Sequence, residues 1–531
     1  MAAAPAPPDA LRFVASAYST LHVTVDGAPM ELRRYKVVYV ANPVKMAATQ
    51  PVRVMGPPVP AADNGAADPW AYQSMFIYVP QAAYADTRTA IVLRVNNGGW
   101  FASPVADRIS DGQALAGNSD RDPLGAALKA GYVVVSAGTR SRGILGADGS
   151  WVGKSPAVIV DAKAAIRYLR LNDAAMPGSA ERIVITGTSG GGGLSVAVAA
   201  SGNSPDYFPA LAAIGAAGID ARGRSTIRDD VFATIAYCPI TDLGHSDIAY
   251  EWQYGALRSL ANVQGGQYPA AMQSASSALA AAYPAYLASL RLKLEDGTPL
   301  TAATMGGAIV AQVKRSVEAA IAQGVQVPAF GEDFVVASRG GTVRRRNDWL
   351  TVENGKVRTI DYPRYLDFVA ATTPLKIVPA FDPNANSGNR GVAGESSLFG
   401  AADREYSNFA EYSWNHNEVK GDGSGADDTG MDWARYVAGP GKGLAGQVRM
   451  AAPFAYLGTA ADAAPYWYVR HGTLDRDTAF AIEVALYHAI RSDRSVKDVN
   501  FQLAWMQPHA GDYDVTEAYA WLASVLARSG H

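Results

Sequence analysis

Cysteine is almost missing. Cys238 is the only one in 531 residues. That excludes an intrachain disulfide and a cysteine-rich metal site, and it leaves the redox compartment undetermined. Its setting, Ile235-Ala236-Tyr237-Cys238-Pro239, reads as the end of a buried strand with a small core residue. Excess charge is missing too. Lys and Arg number 46 against 49 Asp and Glu, for a net charge of −3. A nucleic-acid binder usually carries a marked basic excess. No apolar run is long enough to cross a bilayer. Neither nucleic acid nor a membrane is therefore an expected partner. Met1 through Pro8 has no charged n-region and no apolar h-region, so it is not a signal peptide as it stands. A start Met ahead of an Ala/Pro-rich mature end is compatible with secretion or a periplasmic address, and the compartment stays open. What is plentiful is apolar: 49% hydrophobic residues against 18% charged. That is enough for a large core and too apolar for disorder.

The apolar residues come in a rhythm. Two β-rich runs over 21–40 flank Asp26-Gly27, a hairpin signal. Pro, Gly and Ala over 51–70 read as loop. Strands are expected at 74–79, 89–95, 132–136, 183–186 and 232–237. Helices are expected at 124–129, 158–171 and 194–200. This alternation predicts an α/β fold: a mostly parallel twisted sheet with helices on both faces. Antiparallel strands at the start suit an α/β-hydrolase core.

Near residue 240 the texture changes. Ala-rich helical stretches at 270–292 and 304–323 follow, then a hairpin over 349–360 turned by Asn354-Gly355. Gly/Asn/Ser segments occupy 384–394 and 421–430. Strand and helix alternate again from Tyr466: strands at 466–469 and 499–505, helices at 478–490 and 516–526. The expected organisation is a core in two parts, 1–240 and 451–531, with 241–450 inserted as a lid.

The densest chemical signal is Gly187-Thr188-Ser189-Gly190-Gly191, which fits G-x-S-x-G. It lies between a β-branched run and a helix, as a nucleophile elbow does. Side chains at Gly187 or Gly191 are expected to collide with the neighbouring strand or helix. A phosphate loop would need a Lys-Ser/Thr pair after the glycines, and none follows.

A nucleophilic Ser needs a base and an orienting acid, which in this fold follow in the order Ser, Asp or Glu, His. Of seven His, His488 lies inside a helix and His531 ends the chain. His509 follows the last expected strand directly. The acid belongs after the preceding strand, where Asp475 is the first choice and Asp477 the alternate. Asp477 can equally be read as the N-cap of the next helix. The oxyanion hole needs two backbone N–H donors. Gly190 supplies one, and Gly98 or Gly99 in Asn97-Gly98-Gly99-Trp100 the other.

Several stretches together resemble the bacterial tannases, the tannin acyl hydrolases. They are Gly187-Thr188-Ser189 with its trailing glycines, Tyr237-Cys238-Pro239-Ile240-Thr241-Asp242-Leu243 and Ala249-Tyr250-Glu251-Trp252. Arg470-His471-Gly472 through Asp475-Arg476-Asp477-Thr478 and Pro508-His509-Ala510-Gly511-Asp512-Tyr513-Asp514 are others. Within the insertion, Pro379-Ala380-Phe381-Asp382 and Leu398-Phe399-Gly400 complete the set. The matches run from about residue 90 to 520. The resemblance implies a serine esterase acting on galloyl esters, with a small phenolic ester as partner. It also implies that Lys376, Glu395 and Asp477 hold the galloyl hydroxyls. Two departures stand out. The Asn/Gly stretch between Lys376 and Glu395 is long for the family, and Gly190 occupies a place where Ala is common. The fungal relatives bridge two cysteines beside their triad, which one Cys cannot do.

Feruloyl or other aryl or polyester hydrolysis is the alternative activity, and a non-catalytic binding module on the same fold is the alternative class. No cofactor is expected. Asp422, Asp427 and Asp428 do not have EF-hand spacing, so no metal is expected either. Arg344-Arg345-Arg346 reads as a solvated edge beside a hairpin. The oligomeric state is not legible.

Overall fold

The structure is a computed structural model that describes residues 9–51, 68–220, 222–338, 341–384, 394–417 and 425–530. Met1–Pro8, most of the 51–70 loop, the interior of the 384–394 segment, the start of the 421–430 segment with Asp422, and His531 lie outside the described residues.

Among the described residues, ten strands form one sheet. They are β1 (Ser19–Val25), β2 (Ala28–Val38), β3 (Ser74–Pro80), β4 (Ile91–Arg94), β5 (Ala114–Leu115), β6 (Val133–Ala137), β7 (Ile183–Thr188), β8 (Ala233–Tyr237), β13 (Tyr466–Gly472) and β14 (Asp498–Ala504). Four shorter strands in between are β9 (Asp333–Ser338), β10 (Gly341–Arg346), β11 (Leu350–Glu353) and β12 (Lys356–Ile360). The large sheet runs β14-β13-β8-β7-β4-β6-β3-β2-β1-β5. The β1–β2 hairpin turns at Asp26 and Gly27, both with positive φ, as a two-residue turn of this composition requires. From β6 to β14 every pairing is parallel.

The central strands are apolar at consecutive positions because both faces are covered. In β7, Ile183 and Ile185 join one core cluster while Val184 joins the other. In β6, Val133 and Val135 divide from Val134 in the same way. On one face lie the helices Ala157–Leu171, Gly190–Ala200 and Phe480–Ser492; on the other lie Pro123–Lys129 and Val515–Arg528.

Among the described residues, those of 241–450 add no strand to this sheet. Their described strands form two separate ribbons, β9–β10 and β11–β12. The helices Ala302–Ala322 and Tyr362–Thr372 pack on these ribbons, and Leu243–Tyr254 and Ala270–Ser289 pack on each other. The arginine run lies in β10, an edge strand, with Arg344 and Arg346 exposed, while Arg345 donates to the carbonyl of Ala371. The β9–β10 ribbon escapes sequence reading because only Phe334 and Val336 mark its buried face in β9. Asp427 and Asp428 sit in the first turn of a short helix, Ala426–Thr429.

Candidate active site

Parallel pairing of β7, β8, β13 and β14 brings their carboxyl ends to one edge of the sheet. Ser189 follows β7, Asp475 follows β13 and His509 follows β14. Residues up to 320 apart in sequence therefore meet.

Ser189 joins β7 to the helix Gly190–Ala200 with φ 61° and ψ −124°, a conformation costly for an L-residue. Its neighbours hold it there. Its amide donates to the Tyr237 carbonyl at 2.9 Å, and its carbonyl accepts from Ile240 at 3.1 Å. A Cβ at Gly187 would overlap the Gly191 carbonyl. At Gly191 the nearest atom to a Cβ would be the Val95 carbonyl oxygen at 3.1 Å, so crowding is milder there than the motif implies. Within G-x-S-x-G the tightest glycine is Gly190, where a Cβ would overlap the Trp100 amide and the Asn97 carbonyl.

His509 Nε2 lies 2.8 Å from Ser189 Oγ, and His509 Nδ1 lies 2.7 Å from Asp475 Oδ2. Asp475 Oδ1 accepts from the Asp477 amide at 2.8 Å. Burial opposes charge on His509, but Asp475 outweighs it and lifts the imidazole above its ordinary value. Burial would likewise raise Asp475, yet His509 and His471 hold it well below the carboxylate range. The two acids separate by position. Asp475 lies behind the ring, while Asp477 Oδ2 is 3.9 Å from Nε2, on the serine side. Asp477 is not a helix cap, since the helix begins at Phe480 with Ala479 before it.

A second network fixes the His509 loop. Asp514 accepts from Tyr237 Oη at 2.7 Å, Tyr468 Oη at 2.7 Å and Arg470 Nε at 2.8 Å. It ties the loop to β8 and β13. Tyr237, Arg470 and Asp514 stand in stretches already notable in the sequence, but their meeting is not readable there.

Gly98 lines a cavity of about 380 Å³ together with Thr188, Ser189, Gly511 and Asp512. Gly99 has φ 57°, which only a residue without Cβ adopts freely. Asn97 Nδ2 donates to the Phe101 carbonyl at 2.8 Å, and Trp100 Nε1 to the Ile240 carbonyl at 2.9 Å. The first bond closes the glycine segment on itself and the second ties it to the loop after β8, with the Asn97 carbonyl and Trp100 amide close to Gly190.

Lys376, Glu395 and Asp477 converge beside it. Burial lowers the Lys376 ammonium below its ordinary value, against the pull of Asp477 and Glu395. Burial raises Glu395, against Arg142 and Lys376. Burial would raise Asp477 too, but Arg476, His509 and Lys376 together keep it low. The ammonium of Lys376 lies 4.0 Å from the centre of the Phe381 ring.

Two further residues act here: Arg142, which carries no sequence signal, and Arg476, which lies in a stretch already notable in the sequence. Arg142 donates through Nε to the Gly99 carbonyl at 2.7 Å and stacks 3.9 Å above Phe101. Its Nη2 is 3.6 Å from Glu395 Oε1, so it links the glycine segment to Glu395. Arg476 pairs with Asp477. Cys238 is buried at the end of β8, and its thiol lies 2.9 Å from the Ala510 carbonyl. Among the described residues, only Cys238, Asp475 and His509 bring three metal-ligand atoms together, within 4.8 Å of one another. That set suits an ion poorly. Asp475 and His509 already bond each other, and burial, then Asp475, keeps the thiol protonated.

The BD-FAE family model matches residues 75–281. A solved structure of tannin acyl hydrolase from Lactobacillus plantarum is 30% identical, covering 97% of this chain and 99% of that one, with a TM-score of 0.73. A tannin acyl hydrolase in complex with ethyl gallate matches at 30% identity over the same shares, with a TM-score of 0.74. Fusobacterium nucleatum tannase matches at 28% identity, again over 97% and 99% of the two chains, with a TM-score of 0.73. No curated protein matches.

Proposed function

The chain belongs to the bacterial tannase family of α/β-hydrolases, and on that premise we propose that it is a serine esterase cleaving galloyl esters, gallotannins and alkyl gallates among them. Ser189 Oγ attacks the ester carbonyl while His509 Nε2 takes its proton. Asp475 orients the imidazole and stabilises the imidazolium. The amides of Gly190 and of Gly98 or Gly99 hold the oxyanion. The tetrahedral intermediate expels the alcohol, which leaves with the proton from His509. Water, deprotonated by the same imidazole, then releases gallate and restores Ser189.

The observation that carries this reading is the His509 imidazole, within hydrogen-bond distance of both Ser189 and Asp475, with Asp477 on its substrate side. Lys376, Glu395 and Asp477 give the ring hydroxyls one donor and two acceptors. Charged partners in a buried site hydrogen-bond strongly. The reading also divides the chain into a core of 1–240 and 451–531 and a lid of 241–450.

Two assays test it. A fluorophosphonate should label Ser189, and an unlabelled serine in active protein would remove the acyl-enzyme route. Methyl gallate should exceed methyl ferulate in kcat/KM by about 10⁴-fold, because ferulate leaves the polar groups unpaired. Equal cleavage would replace the galloyl reading with a general aryl esterase.

A further inference from the structure

A second cleft, of about 520 Å³, opens in the inserted region between the helices Leu243–Tyr254 and Ala270–Ser289 and the segment from Phe409 to His416. It shares no lining residue with the cavity at Ser189. Its volume lies in the range of small-molecule sites, about 300–1,000 Å³. Two imidazole–phenol stacks line it. His245 lies 3.7 Å from Tyr286 with the rings 9° from parallel, and His416 lies 4.1 Å from Tyr412 at 15°. Trp433 adds a further aromatic wall and Glu411 an exposed carboxylate.

The tautomers set the chemistry. His245 Nδ1 is 3.0 Å from Asp242 Oδ1, and His416 Nδ1 is 2.8 Å from the Tyr412 carbonyl. Both partners only accept, so in each neutral ring the proton sits on Nδ1 and Nε2 keeps its lone pair. The cleft thus offers flat walls and acceptors: two imidazole nitrogens and a carboxylate. Its complement is a flat ring whose edge carries several O–H donors.

We propose that this cleft is a second binding site for a polyhydroxylated aromatic ring of the catechol or pyrogallol type, separate from the site at Ser189. Binding there does not depend on the hydrolytic reading. If that reading holds as well, an ester carrying several such rings has two places on the protein to bind.

The test is titration calorimetry of the full chain carrying Ser189→Ala, in mildly alkaline buffer, with methyl gallate and with methyl 3,4,5-trimethoxybenzoate. Two sites are expected for methyl gallate. The trimethoxy ester has no donors and should not fill the cleft. Adding His245→Phe and His416→Phe keeps the ring faces but removes the acceptors. Each should weaken the second site by about tenfold, the scale of one lost hydrogen bond. A single site in the parent, or a second site indifferent to both substitutions, overturns the proposal. So does equal binding of the trimethoxy ester in the cleft. His416 is exposed, so His416→Phe alone gives the answer should the double variant fold poorly. Turnover of methyl gallate by the otherwise native chain should be unchanged by either Phe, and its absence in the native chain would count against the hydrolytic reading alone.

Discussion

Ser189 and His509 show how much one side chain owes to its surroundings. The serine hydroxyl is ordinary; the strained backbone at φ 61° and the imidazole at 2.8 Å are what single it out. Ser189→Ala should lower kcat by roughly 10⁵- to 10⁶-fold, the scale of losing a nucleophile. Near-native turnover in that variant would end the assignment. The imidazole also sets a pH dependence. A general base must be neutral, and Asp475 raises the pKa of His509 above its ordinary value. Activity is therefore lost as pH falls through a value above about 6.5, the unperturbed imidazole. Asp475→Asn removes the cause. The acid limb of kcat/KM should move to lower pH, and kcat should fall by roughly 10⁴-fold. An acid limb that stays put in that variant would show that Asp475 is not the group raising His509.

At the scale of elements, the site is a set of close approaches between loops. The helix that starts at Gly190 meets the segment from Asn97 to Trp100 with no room for a methyl group between them. An alanine at this place does not fit this arrangement. Gly190→Ala should push that segment away and lower kcat by about 10²- to 10³-fold, the usual result of losing one oxyanion donor. Unchanged steady-state kcat would mean that the glycine segment is not part of the oxyanion site. The Asp514 clamp acts between β8, β13 and the last loop. Asp514→Ala leaves the buried Arg470 with Glu517, half-exposed, as its remaining acidic partner. A loss of about 3 kcal/mol in stability is expected, read from urea unfolding, the low end for breaking a buried pair.

For the whole molecule, the galloyl contacts we propose draw on parts of the chain far apart in sequence. Asp477 comes from the loop after β13, while Lys376 and Glu395 come from residues 241–450. Lys376→Met should cut kcat/KM for methyl gallate by about 10- to 100-fold, the value of one charge-assisted hydrogen bond. Methyl ferulate should be little affected. A parallel loss on both esters would assign Lys376 to the stability of the fold instead.

The sequence by itself determined the α/β class, because strands buried on both faces must be apolar at consecutive positions and their helices must alternate with them. It also named Ser189, Asp475 and His509 as candidates, since G-x-S-x-G and chain order are local or ordinal signals. It left Asp475 and Asp477 as alternatives, and only packing put one behind the imidazole and the other in front. Arg142, the Asp514 clamp and the His245–Tyr286 cleft wall were decided by tertiary structure alone. Each depends on a distance between segments far apart in the chain, and such a distance leaves no periodicity in the residues that meet.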